Sequence, residues 1–375
     1  MKICASKLFY SILVFSLSSA LLLSSCASTQ EDDTPHPEQQ QDEEATPVQS
    51  PADETDEEAV DAAKAPELKK EPYKQPSIEG SPVDFREVWG YVLSGRENQF
   101  SPKMPITDLC YFSAEVNSYG ELEVPRYVPF KNYKGRVHLV ITCTGRALTH
   151  FTIDPNSSER ERILRSIAQA AKNYDGIQVD YENVGARDAK NFRLFLSAIR
   201  KRIGDEKWLT VALPARMSRD IIYDYTQIAP IVDRIIIMAY DEHWSGSKPG
   251  PVAGMDWCSR VADYCTEILP NKKIVMGLPF YGRSWQNESY GSAWIYPSIT
   301  RILGENNVQN IERTNGIPHF SFPATIQVTG YFDDTYSLVE RCRMYKNKNI
   351  KRIAFWRVGQ EDPSFWPWLK INKSL

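Results

Sequence analysis

The chain lacks a glycine-rich phosphate loop of either common type, which argues against nucleotide chemistry. Histidine is scarce: there are five in 375 residues, and none is spaced with carboxylates or cysteines in a metal-binding pattern. No metal and no other cofactor is therefore expected. A disulfide framework is missing too. Of seven cysteines, Cys4 falls in an N-terminal leader and Cys26 just behind it, which leaves Cys110, Cys143, Cys258, Cys265 and Cys342 as an odd, scattered set inside strands or helices. Buried free thiols are the expectation. Cys258 and Cys265 lie seven apart on one helix, a rise of roughly 10 Å that a bond between them could not span. The net charge is -4, but the acidic stretch behind the leader carries much of that acidity, so the figure says little about the folded part; no nucleic-acid partner is expected.

Nor does the N-terminus hold a full membrane span. Met1, Lys2 and Lys7 flank the start of an apolar run from Leu8 to Leu23 that is too short and too serine-rich for one, and residues 1–25 read as a signal peptide. Leu23-Ser24-Ser25-Cys26 resembles the lipobox of bacterial lipoproteins. That resemblance implies that Cys26 becomes the lipidated N-terminus; an ordinary secretory signal with an incidental cysteine is the alternative. Residues 26–80 turn to Glu, Asp, Gln, Pro, Thr and Ala, too little apolar surface to offset the entropy of ordering, and are expected to form a disordered acidic tether. A monomer held to the membrane of the bacterial envelope through its N-terminal lipid is the resulting expectation.

Residues 81–375 have the length of a (β/α)8 barrel and form one expected domain. Apolar runs predict strands at Val88–Val92, Asp108–Phe112, Val137–Thr142, Gly176–Glu182, Leu209–Leu213, Arg234–Tyr240, Ile274–Leu278 and Arg352–Trp356. Amphipathic stretches at Glu159–Asn173, Ala186–Ile203, Ser218–Val232, Trp257–Leu269 and Thr335–Lys346 predict helices between them. Strand and helix in alternation imply parallel units, and eight of them favour a closed TIM barrel over an open sheet. The front is the weakest part, since Phe100–Pro105 and Asn117–Gly135 hold no clear helix. Gln286–Gly330 is too long for a simple connection between strands 7 and 8, and with Trp294, Tyr296, Phe320 and Phe322 it predicts a small insertion beside the barrel mouth.

The stretch around which the domain is organised is Asp175–Glu182, Asp-Gly-Ile-Gln-Val-Asp-Tyr-Glu. On a strand, Gln178, Asp180 and Glu182 share one face while Ile177, Val179 and Tyr181 share the other. Two carboxylates on one face raise each other's cost of ionisation, so one can keep a proton to donate. By spacing alone the pattern also fits a solvated acidic strand end or a structural cation site. Other strand ends carry Met238-Ala239-Tyr240-Asp241-Glu242-His243-Trp244, Gly277 through Trp285, and Phe355-Trp356. Flat apolar faces with carboxylates and phenols are what binding a sugar requires.

These motifs, in this order, resemble glycoside hydrolase family 18 from Trp89 to the C-terminus, and Tyr240–Gly250 is most similar to its bacterial cell-wall and spore-cortex N-acetylglucosaminidases. The resemblance implies a substrate-assisted retaining mechanism. In it Glu182 is acid and then base, Asp180 holds the substrate's acetamido N–H, and Tyr240 donates to the acetamido oxygen. It also implies that Trp356 floors the subsite, with Gln178, Met238, Asp241, Tyr281, Trp285 and Tyr91 as further substrate-binding residues. Many chitinases carry Asp where this chain has Gln178, and the glycine-rich serine motif of chitinases is replaced by Thr142-Cys143-Thr144-Gly145. The implied substrate is a polysaccharide containing N-acetylglucosamine, peptidoglycan first. An inactive glycan-binding lipoprotein, or an enzyme acting on chitin or host N-glycans, are the alternatives.

Overall fold

Eight short runs rich in buried apolar residues, the fourth with Gln178 and Asp180 on its inner face, build the centre of the protein. The computed structural model describes residues 73–287, 289–308, 310–324 and 326–375. In it β1 (Glu87–Leu93), β2 (Asp108–Val116), β3 (Arg136–Thr142), β4 (Gly176–Asp180), β5 (Trp208–Pro214), β6 (Arg234–Met238), β7 (Ile274–Pro279) and β8 (Arg352–Trp356) pair in parallel. β8 pairs with β1 and β1 with β2, which closes the barrel. The (β/α)8 expectation holds, strand by strand. The signal peptide, Cys26 and residues 26–72 of the expected tether lie outside the described residues.

The helices form where the 3.6-residue pattern places an apolar stripe. They are α1 (Arg146–Ile153), α2 (Ser158–Ala170), α3 (Ala189–Ile203), α4 (Tyr225–Ile228), α5 (Met255–Ile268), α6 (Tyr296–Glu305) and α7 (Thr335–Asn347). α3, for example, buries Phe192, Phe195, Leu196 and Ile199 against the barrel, and burial of such side chains contributes about 1.5–3 kcal/mol each. It ends in Arg200, Lys201 and Arg202, cations that complement the helix dipole. The expected helix over Ser218–Val232 shrinks to the single turn of α4. Asp220 is the reason: its carboxylate accepts the N–H groups of Ile222 and Tyr223 at 2.6 and 3.1 Å, which offers the backbone a partner outside the helix ladder. The expected absence of a helix over 100–105 and 117–135 agrees with the described chain, which runs there without one.

Two features extend the barrel. Strands at Tyr281–Gln286, Ser289–Ile295, Glu312–Thr314, Ile317–Pro323 and Gln327–Tyr331 form an antiparallel sheet that packs with α6 around Ile299, Ile302, Leu303, Phe320, Phe322, Val328 and Phe332. This is the expected insertion, and the Gly291 N–H donates to Ser245 O at 2.7 Å, tying it to the loop after β6. The folded part also begins ahead of the boundary read at residue 81. Tyr73 donates to Asp334 at 2.6 Å with its ring 5.4 Å from Phe332, and Gln75 donates to Asp362 at 2.9 Å, so residues 73–80 are docked along α7. Their composition hides this, because scattered polar contacts and one ring replace the apolar stripe by which docking is usually recognised. All five cysteines among the described residues are free and buried, as expected.

Candidate active site

Which way β4 presents its acids follows from Gln178. This amide is fully buried, accepts the Tyr91 hydroxyl of β1 at 2.5 Å, and donates to Thr210 Oγ1 of β5 at 3.2 Å and Cys110 Sγ of β2 at 3.5 Å. Contacts to three strands place it inside the barrel, and by alternation Asp180 points inward as well. Tyr181 points out, its ring stacked 5.5 Å from Phe195 and 6.4 Å from Phe192 of α3. β4 ends at Asp180, so Glu182 stands two residues past the strand at the C-terminal mouth, where barrel active sites lie.

The two carboxyls sit where charge is costly. Asp180 is 7% exposed and its Oδ1 is buried without a hydrogen-bond partner. Burial pushes its carboxyl well above the usual range. Glu182 is pushed up by burial first, and then by the charges of Asp180 and Asp241. The arrangement keeps a proton on the pair at pH values where an exposed carboxyl would have lost it.

Tyr240 follows β6 and faces the same acids. Burial raises its phenol furthest, and Asp180, Glu182 and Asp241 add to this, so it stays protonated as a donor. Its place depends on Gly277 of β7: a Cβ there would lie 2.7 Å from Ile237 O and 3.0 Å from Tyr240 Cε1. Tyr281 stands edge-on to Tyr240 at 6.3 Å. Asp241 adopts a left-handed backbone, φ 58°, and is held by the Arg283 guanidinium at 3.0 and 3.2 Å. Met238 is buried at the end of β6, in register with Pro214.

Trp356 ends β8, half-buried, with its ring 5.3 Å from Tyr91 and 4.8 Å from Phe112. Tyr91, against which it packs, is in turn within reach of the Asp180 charge. Trp285 shares a face of its strand with Tyr281 and Arg283, the face that meets Tyr240 and Asp241. It is 0% exposed, lies in the insertion sheet with its ring 6.2 Å from Tyr331, and is covered by Gly291, where a Cβ would come within 2.8 Å of its Nε1. Cys26 lies outside the described residues.

Cys110 and Thr210, which fix Gln178, occupy inward positions of strands whose alternation is legible in the sequence, and Arg283, which fixes Asp241, lies in the stretch from Gly277 to Trp285. Tyr223 is hidden instead, because its segment reads as a helix.

Two carboxyls of raised proton affinity at the mouth of a (β/α)8 barrel, with phenols and a half-open indole beside them, define a glycoside hydrolase. Residues 89–361 match Glycosyl hydrolases family 18, and the chain belongs to that family. It is 36% identical to Bacillus subtilis YdhD over 225 residues, 54% of this chain and 52% of that protein, so it spans about half of that relative's length. It is 25% identical to the cortical fragment-lytic enzyme of Bacillus anthracis over 295 residues, 72% of this chain and 69% of the other. The crystal structure of the spore cortex-lytic enzyme SleL of Bacillus cereus has the same fold, with a TM-score of 0.68 over 79% of this chain and 77% of that one at 22% identity.

Proposed function

We propose that the protein hydrolyses β-linked N-acetylglucosamine glycans, with peptidoglycan as the substrate, by a substrate-assisted retaining mechanism, while held to the bacterial envelope by a lipid on Cys26. The observation that carries this reading is the buried Asp180 Oδ1 without a partner beside Glu182. An unpaired acceptor in so dry a place is costly unless a ligand supplies the donor, and an acetamido N–H is a donor of the right kind. Glu182 then protonates the glycosidic oxygen as the acetamido carbonyl oxygen attacks the anomeric carbon and the leaving sugar departs. Asp180 accepts the amide N–H and steadies the cationic oxazolinium ring, and Tyr240 donates to the acetamido oxygen. Glu182, now a carboxylate, takes a proton from the water that opens the ring, and the product keeps the configuration of the bond cleaved. Trp356 lies under the sugar, and Tyr91, Asp241 and Tyr281 wall the subsite. The cortical fragment-lytic relative supports a cell-wall glycan over chitin.

Purified peptidoglycan, chitin oligomers and N-glycans incubated with the protein test it. Reducing ends should appear from peptidoglycan, and Glu182→Gln should lower the rate by about a hundredfold to ten-thousandfold with folding intact. Hydrolysis that survives Glu182→Gln removes this residue from the mechanism. Binding without turnover by the unaltered protein would make it a glycan-binding protein instead. Membrane fractionation of a Cys26→Ala variant tests the anchor, which predicts release into the soluble fraction.

A further inference from the structure

Glu182 stands on backbone that no ladder holds, since the pairing of β4 with its neighbours ends at Asp180. One side chain holds its flanks instead. The Tyr223 hydroxyl donates to the Tyr181 carbonyl at 2.8 Å and accepts from the Val184 N–H at 3.2 Å, bridging the backbone on both sides of the acid. The phenol is itself fixed. It is 2% exposed, and its ring meets Phe192 of α3 edge-on at 5.9 Å. The loop that carries it is pinned by Asp220, which accepts the Tyr223 N–H at 3.1 Å and the Arg216 Nε–H at 2.5 Å.

We propose that Tyr223 is a positioning residue for the general acid, a role that rests on the reading of Glu182 given above. A hydroxyl that donates to one peptide and accepts from another three residues on fixes both the separation and the direction of the turn between them. The Glu182 carboxyl inherits that geometry, and a proton donor displaced by a fraction of an ångström transfers its proton less often. Tyr223 reaches the substrate only through Glu182.

The test compares leaving groups. Tyr223→Phe deletes one oxygen and keeps the ring against Phe192. On soluble peptidoglycan strands, whose departing sugar needs a proton, kcat should fall about tenfold or more with KM within about twofold. On a dinitrophenyl glycoside of the same sugar, which departs unprotonated, kcat/KM, which reads the steps up to departure and not the later ring opening in which Glu182 is the base, should fall less than about twofold. Hydrogen exchange at residues 181–184 should quicken. Tyr225→Phe is the control: it removes a nearby buried phenol, at the start of α4, that donates to the Pro214 carbonyl, and it should lower Tm without touching kcat. Equal losses on both substrates, no loss on peptidoglycan, or a Tyr225→Phe variant that behaves alike would overturn the proposal. Should Tyr223→Phe fail to fold, Phe192→Leu loosens the ring without removing the oxygen, and the same comparison decides. Glu182→Gln run alongside separates the two readings. If that variant is inert while Tyr223→Phe is fully active, only the clamp is lost; if it is active, the assignment of the acid falls.

Discussion

The Tyr91 hydroxyl donates to Gln178 Oε1 at 2.5 Å and so joins β1 to β4 across the barrel interior, beneath the acid pair. The Gln178 amide hydrogens go to Thr210 and Cys110, so the group has one orientation and none of these bonds reaches Asp180. An amide at this position adds no third charge to the pair, where the aspartate of many chitinases would. Tyr91→Phe should leave a fully buried carbonyl without its donor and cost about 1–3 kcal/mol, read from the urea midpoint at unchanged slope.

The acid pair should make the fold less stable as pH rises. Burial holds both carboxyls above their ordinary values, so between pH ~4 and the raised values the folded chain binds more protons than the unfolded one, and stability falls with each step upward. Glu182→Gln removes one side of the conflict. It should raise Tm at pH 8, by a gain on the order of 1 kcal/mol, and lose the advantage near pH 4. Turnover should fail on the same alkaline limb, as Glu182 gives up the proton it donates. A thermal scan of both proteins at the two pH values checks the sign.

Period and strand chemistry made the barrel legible: each of the eight strands could be placed because runs such as Ile235-Ile236-Ile237-Met238 have no other use. The acids were legible for the same reason, since a two-residue spacing on a strand fixes a shared face. Tyr223 was not, because Asp220 diverts the backbone from the helix that the apolar spacing predicts, and only the folded loop brings a residue 41 positions away in the chain to the flanks of Glu182. Residues 73–80 stayed hidden because contacts distant in sequence, such as Tyr73 with Asp334, leave no local pattern.

Trp356 and Trp285 should separate in experiment. Trp356 keeps part of its ring open beside Tyr91, so Trp356→Ala should lower kcat/KM by about tenfold or more, through lost stacking worth roughly 1–3 kcal/mol at modest cost in Tm. Trp285 is fully buried between Tyr331 and Gly291, and Trp285→Ala should cost about 3–5 kcal/mol of stability, with kcat at a permissive temperature changed far less. The reverse pattern would place the indole of Trp285 in the cleft.

At the other end of the barrel, the strand starts form a charge network that predicts an opposite pH limb. Glu87, Asp108, Arg136, Arg234 and Arg352 open β1, β2, β3, β6 and β8. Arg136 grips Asp108 at 2.6 and 2.9 Å and Arg234 grips Glu87 at 2.6 and 3.0 Å. Trp208, which opens β5, lies between their guanidiniums at 4.2 and 4.7 Å. The N-terminal face of a barrel serves stability, so these charges should matter to folding and not to turnover. Burial alone would raise the Asp108 carboxyl, but hydrogen bonds and charge from His138 and Arg136 outweigh it and hold the group below its usual value. Its contribution is therefore complete above the ordinary carboxyl range and is lost as pH falls through the depressed value. Asp108→Asn leaves Arg136 and His138 without their anion and should cost about 3–5 kcal/mol at pH 7, with kcat unchanged within about twofold. Below pH ~4 the unaltered protein should lose Tm more steeply than this variant, because only the unaltered protein has a carboxylate there to protonate. With the acid pair destabilising from above and this network from below, maximum stability should fall in the mildly acid range. A variant whose Tm matches the parent at pH 7 would show that the network adds nothing.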